Sequence, residues 1–214
     1  MTLSAGLITL TNLHRMAVMM NSLSRQQQNE LVNATDEPST ADNLDALVAD
    51  HDQQLAQLGD LLAAMASSQY LKRDPPNDSV GAHVRHVIEH YDCLVNHRDG
   101  LIDYDYRPRD PELENSLETA LDRIGRLRAT LPQLVDKPVR IRHQPGSGPE
   151  EPTLYIDSSI ERELLFLVSH TIHHMAMIGL FARRAGLQVP SSFGVTPSTL
   201  RFRIKSASAV AEAS

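Results

Sequence analysis

Six of the ten histidines in the 214-residue chain fall in two short windows, at positions 83, 86 and 90 and at 170, 173 and 174. On an α-helix, residues three, four or seven apart share a face. His83, His86 and His90 therefore form one stripe, and His170 and His174 stand one turn apart. An i, i+4 histidine pair aims two imidazoles at one point, and a third histidine from a facing helix completes a three-ligand site for a divalent ion. Three protein ligands leave coordination open to water or substrate, which is the arrangement of a reactive site rather than a structural one. Spacing alone leaves the third ligand open among His83, His86 and His90. His14, His51, His97 and His143 stand singly and read as ordinary core or surface residues.

Two helices must carry these windows, and the hydrophobic spacing supplies four. Leu44, Leu47, Val48, Leu55, Leu58, Leu62 and Met65 mark an amphipathic helix of about 25 residues. Pro75-Pro-Asn-Asp-Ser breaks it, and Asp78 or Ser79 caps a second helix that runs to about Asn96 with the first histidine stripe on it. Asp110 before Pro111 opens a third helix with Leu113, Leu117, Leu121, Ile124, Leu127, Leu131 and Leu134 on one face. Val139-Arg-Ile-Arg and Thr153-Leu-Tyr-Ile flank a turn, Gln144-Pro-Gly-Ser-Gly-Pro, and predict a small β-hairpin. Ser158 with Glu161 matches a capping box for a fourth helix, apolar nearly all round, which Gly186 ends.

The expected fold is all-α, a four-helix bundle with a small β-hairpin inserted before the last helix. Residues 41–205 are expected to form this domain, preceded by an N-terminal extension or linker over 1–40 and followed by a frayed tail over 206–214. The segment from Phe193 to Arg203 has enough apolar anchors to pack onto the bundle.

Ser79-Val-Gly-Ala-His-Val-Arg-His-Val-Ile-Glu-His-Tyr and Leu167-Val-Ser-His-Thr-Ile-His-His-Met-Ala-Met-Ile resemble the two signature helices of the DinB/YfiT-like superfamily. The resemblance extends over roughly residues 42–187, in helix order, spacing and both motifs. It implies a four-helix bundle with a divalent metal held by one histidine of the second helix and an HxxxH pair of the last. Matched position by position, the pair is His170 and His174, and the second-helix ligand is His86, seven residues after the capping Ser79. Zinc or nickel is the expected ion. Some members act with low-molecular-weight thiols and many are assigned as metal-dependent hydrolases, so a thiol is a second expected cofactor.

Glu163 lies seven residues before His170 and is the candidate catalytic carboxylate, as a general base or as a partner of a ligand imidazole. The plainer reading is a solvated first-turn carboxylate that favours the helix dipole. Glu89 and Asp92 flank His90 and could orient a ligand, though a surface role is favoured. Tyr104, Tyr106, Arg107 and Arg109 are candidates for a substrate mouth, arginine being suited to a carboxylate or phosphate. Cys93 reads as a buried, inert thiol.

Composition narrows the function classes. Apolar residues make up 41% and charged residues 22%, a globular balance. Twenty Lys and Arg against 27 Asp and Glu give a net charge of −7, which argues against bulk nucleic-acid binding. One cysteine excludes an intrachain disulfide framework and fits a cytoplasmic, reducing location. No run of 18 apolar residues is present and the first twenty residues do not read as a secretory signal, so no membrane association is expected. GxSxG, P-loop, GxGxxG and HExxH motifs are all missing.

The reading is a metal-dependent enzyme that activates water or a thiol toward a small-molecule substrate, as a hydrolase or thiol transferase, with a homodimer compatible. The rival is a non-catalytic, metal- or small-ligand-binding, stress-related bundle protein. A third reading is a structural bundle whose histidines bind nothing.

Overall fold

A computed structural model describes residues 40–74, 78–146, 148 and 151–212. The extension or linker expected over 1–40 lies outside these residues except for Thr40. Among the described residues the fold is mostly helical, with its strands confined to two small sheets. Helix α1 is Thr40–Ala63 and α2 is the single turn Ser67–Tyr70. Two-residue strands β1 (Arg73–Asp74) and β2 (Asp78–Ser79) pair antiparallel and deliver the chain to α3, Val80–Val95. Of the two capping candidates, Ser79 is the cap, its side chain accepting from the Ala82 N–H.

The expected third helix is two helices. Asp110 caps α4, Pro111–Asn115, and Ser116 then turns to an extended backbone and caps α5, Leu117–Thr130. A serine hydroxyl that can satisfy the Thr119 N–H makes a second helix start there, which the uninterrupted leucine spacing conceals. A 3-10 turn, Leu131–Gln133, closes it.

The hairpin is present and longer than its sequence signal, with β4 (Pro138–His143) antiparallel to β5 (Leu154–Ser159). It also gains a strand that sequence reading missed: β3, Leu101–Asp103, pairs parallel to β4. Three residues with one buried side chain, Ile102, are too short to show alternation. Helix α6, Ile160–Arg184, begins one residue later than expected, with Ser159 as its cap. Ser158 instead gives its hydroxyl to Glu163.

Helix α6 packs against α1 and α3, and α5 packs against the same two. Leu55, Leu58 and Leu62 of α1, Val84 and Ile88 of α3, Ile124 of α5, and Leu164, Leu167 and Ile178 of α6 share one core. Although Ser, Thr and His interrupt its apolar run, α6 is long and apolar enough to cross a bilayer by length and composition alone. Its apolar character follows from its position against two neighbouring helices, and it also carries Glu163 and three histidines.

A polar chain crosses this core. His51 Nε2 lies 3.0 Å from the Leu164 carbonyl, which can only accept, so Nε2 carries the proton. Burial lowers the His51 pKa to about 4, so its ring is neutral and Nδ1 accepts from the Tyr91 hydroxyl at 2.7 Å. Tyr91 then accepts from Thr171 Oγ1 at 3.0 Å. These bonds tie α1, α3 and α6 together beside His90 and His170.

After α6, Phe193 is buried and Gly194 takes φ 68° against the backbone of Ala176. Helix α7, Pro197–Glu212, then runs into residues that composition suggests are frayed. Its Ala, Ser, Lys and Arg residues tolerate helix without needing a buried face, so hydrophobic spacing does not reveal it.

Candidate metal centre

The metal-candidate histidines sit where α3 faces α6. Ser79 sets the start of α3, so His83, His86 and His90 follow on the face turned to α6. One imidazole nitrogen from each of His86, His170 and His174 lies within 4.8 Å of the other two, and all three side chains are half-buried. A point within about 2.8 Å of all three nitrogens therefore exists, close to the ~2.0–2.1 Å of a zinc–imidazole bond. His170 Nε2 is buried without a hydrogen-bond partner, and a ligand nitrogen waiting for an ion is a physical account of that orphan. The donor set therefore fits a divalent ion such as zinc or nickel.

Electrostatics keep these rings neutral and ligand-ready. Burial, followed by the charges of neighbouring histidines and Arg107, lowers the pKa of His86 to about 2. Burial and then His170, His83 and His173 lower that of His174 to about 3. Burial and Arg107 lower that of His170 to about 4.

The two neighbours on the first stripe have other tasks. His83 Nδ1 lies 3.0 Å from His174 Nδ1, and the His83 ring stacks on Phe181. His90 is buried and turns its Nδ1–H onto the His86 carbonyl at 2.7 Å, leaving Nε2 facing Arg107 Nη1 at 3.5 Å. That tautomer leaves the Nε2 lone pair free, but His90 is not among the three residues whose nitrogens converge within 4.8 Å. His173 is exposed and meets only the edge of the His174 ring, with centroids 5.1 Å apart.

Other candidates are placed differently from their plainer sequence readings. Glu163 is 2% exposed, so it is not a solvated carboxylate. Its Oε1 accepts from Ser158 and Arg162, and its charge, after burial, raises the Tyr104 pKa. Tyr104 in turn stacks on His90 with centroids 5.5 Å apart, so that ring links Glu163 to the histidine cluster. Glu89 is likewise buried, accepting the Asp110 N–H at 2.6 Å and facing Arg107 Nε at 3.8 Å. Asp92 pairs with Arg123 at 2.7 Å, away from the site. Cys93 is half-buried and burial pushes its thiol up to about 11, which fits an inert role.

Of the four mouth candidates, Tyr104 and Arg107 touch the cluster, while Tyr106 is 85% exposed. Phe166, which sequence reading places only in the apolar set of its helix, packs on His170 and Tyr104 with centroids 5.5 and 5.6 Å away. Its position four residues before His170 is the signal that could have found it.

The model of the DinB superfamily matches residues 50–178, which include both histidine windows. The chain belongs to the DinB superfamily. This DinB-superfamily chain is also similar to FK506-binding protein 5 of Rhizopus delemar, at 32% identity over 105 residues. That match covers 47% of the chain but 27% of the Rhizopus protein, so the chain corresponds to about a quarter of that relative's length. No solved structure matches the chain.

Proposed function

We propose that the protein is a four-helix bundle, made by α1, α3, α5 and α6, that holds a divalent ion on His86, His170 and His174 for metal-dependent chemistry on a small molecule. The observation that carries this is the convergence of three neutral imidazole nitrogens within 4.8 Å from two facing helices. When bound, the ion supplies positive charge that acidifies a water or a thiol near neutral pH. The protein's own groups do the rest. His83 receives the Nδ1 proton of His174 and so turns the other nitrogen of that ring toward the site. Tyr104 and Phe166 wall the site beside His90 and His170. Hydrolysis and thiol transfer share these requirements. We read the site as that of a cytoplasmic enzyme within a domain spanning 41–205.

A second reading, a non-catalytic metal- or ligand-binding protein, is favoured by one observation. Glu163, the candidate base, commits its hydrogen bonds to Ser158 and Arg162 and not to the histidines. Screening zinc- and nickel-loaded protein against ester, amide and electrophilic substrates, with and without a low-molecular-weight thiol, decides between them. Turnover lost in His170→Ala supports the enzyme. Tight metal binding without turnover of any substrate supports the binding protein.

A further inference from the structure

Arg107 is placed where it opposes the ion that the histidines are built to hold. Its Nη1 donates to the Tyr104 carbonyl and lies 3.5 Å from His90 Nε2, while its side chain is 15% exposed. Its charge is felt by His86, His90 and His170 alike. Glu89 is its counter-charge, but the pair is long at 3.8 Å, and Arg107 Nε is buried without a hydrogen bond. Neutral imidazoles leave both charges of a divalent ion uncompensated. Glu89 offsets no more than the guanidinium itself. A fixed cation beside a cation site weakens metal retention by simple repulsion, so its presence calls for a third, negative party.

The same side chain also lines a cavity of about 510 Å³ with Asp105, Tyr106, Arg109 and Gln144. Asp105 is already engaged, with His143 at 2.9 Å and the Gln144 N–H at 3.1 Å. The cavity therefore carries one carboxylate, held by its own loop, against two guanidinium groups. Arg109 holds φ 53°, a left-handed conformation that costs a non-glycine residue free energy.

We propose that the substrate is an oxyanion-bearing small molecule, a carboxylate or a phosphate, which enters this cavity and is received by Arg107 beside the three-histidine centre. The proposal rests on the metal reading above and deepens it by naming a substrate class. A planar guanidinium suits both anions, since each offers two oxygens to its fork.

The test uses the full chain loaded with one equivalent of Co²⁺, with folding checked by circular dichroism. Metal affinity is read by chelator competition in anion-poor buffer. Anion binding is read from the visible Co²⁺ spectrum during titration with acetate, inorganic phosphate or chloride at constant ionic strength. Wild type should bind acetate or phosphate in preference to chloride, and the arm that binds tighter assigns the anion. Arg107→Ala should bind Co²⁺ about three- to tenfold tighter, because repulsion is gone, and should bind that anion at least about tenfold more weakly. Opposite signs cannot arise from a structural lesion, which would weaken both. If Arg107→Ala does not fold, Arg107→Gln carries the same two expectations. A Co²⁺-loaded wild type that binds neither acetate nor phosphate, or a variant with unchanged anion affinity or with both affinities reduced, overturns the anion proposal alone. A wild type that binds no Co²⁺ overturns the metal reading and this proposal with it.

Discussion

His83 Nδ1 and His174 Nδ1 lie 3.0 Å apart, so one ring donates to the other. For His174 to offer Nε2 to an ion, its Nδ1 must carry the proton and His83 must accept it. His83 then carries its own proton on Nε2, 4.0 Å from the Asp78 carboxylate. The histidine that sequence spacing cannot separate from His86 is thus the partner that would fix the tautomer of a proposed ligand. Replacing His83 by Ala should weaken Ni²⁺ affinity about 10- to 100-fold while leaving the fold intact. His173→Ala, which removes only an exposed edge contact, should change it by less than about threefold. Chelator competition on the two variants checks both.

The buried chain from Thr171 through Tyr91 and His51 to the Leu164 carbonyl gives a second expectation. Tyr91→Phe leaves His51 Nδ1 and the Thr171 hydroxyl without partners in a dry core. It should lower unfolding stability by about 1–3 kcal/mol, measured by urea denaturation.

His51 also makes stability pH-dependent, with a definite sign. Its folded pKa of about 4 lies below the ordinary histidine value of 6.5, so the unfolded chain binds more protons between those values. Stability from this residue is complete above about pH 6.5 and is lost as pH falls toward 4, by roughly 3 kcal/mol in total. The stability gap between wild type and His51→Gln should shrink by that amount from pH 7 to pH 4 in parallel denaturation curves. A gap independent of pH would show that His51 is not held neutral by the fold.

Much of this architecture is legible in the sequence because it rests on periodicity and capping. Ser79 and the stripe of His83, His86 and His90 fall on one helix, and His170 with His174 on another, by spacing alone. What spacing does not carry is tertiary. Ser116 breaks the leucine run because its hydroxyl caps a new helix, and β3 exists because β4 lies beside it. His83, His86 and His90 have the same local chemistry, so only the approach of α6 separates their roles. Glu163 has the sequence position of a first-turn carboxylate in solvent, and only the packing of Tyr104, Ser158 and Arg162 around it shows that it is buried.

Gly194 tests how the segment after α6 docks. At φ 68° a side chain is strained, and a Cβ there would sit 2.4 Å from the Ala176 backbone nitrogen. Gly194→Ala should therefore displace Phe193 from its seat over Gly179 and lower stability by about 2–4 kcal/mol. Thermal unfolding of the variant checks the magnitude, and faster hydrogen exchange confined to residues around 190–196 and the facing turn of α6 checks the location.

On the function proposed above, His86, His170 and His174 hold one divalent ion. The direct measurement is metal content and affinity of protein prepared without a histidine tag, by elemental analysis and then by titration of metal-stripped protein with Zn²⁺ and Ni²⁺ at pH 7.5. The expected result is close to one equivalent bound by wild type. Binding should be largely lost in each of His86→Ala, His170→Ala and His174→Ala, while all three variants stay folded by circular dichroism. Wild-type protein that neither carries nor takes up either ion, or variants that retain wild-type affinity, would contradict it.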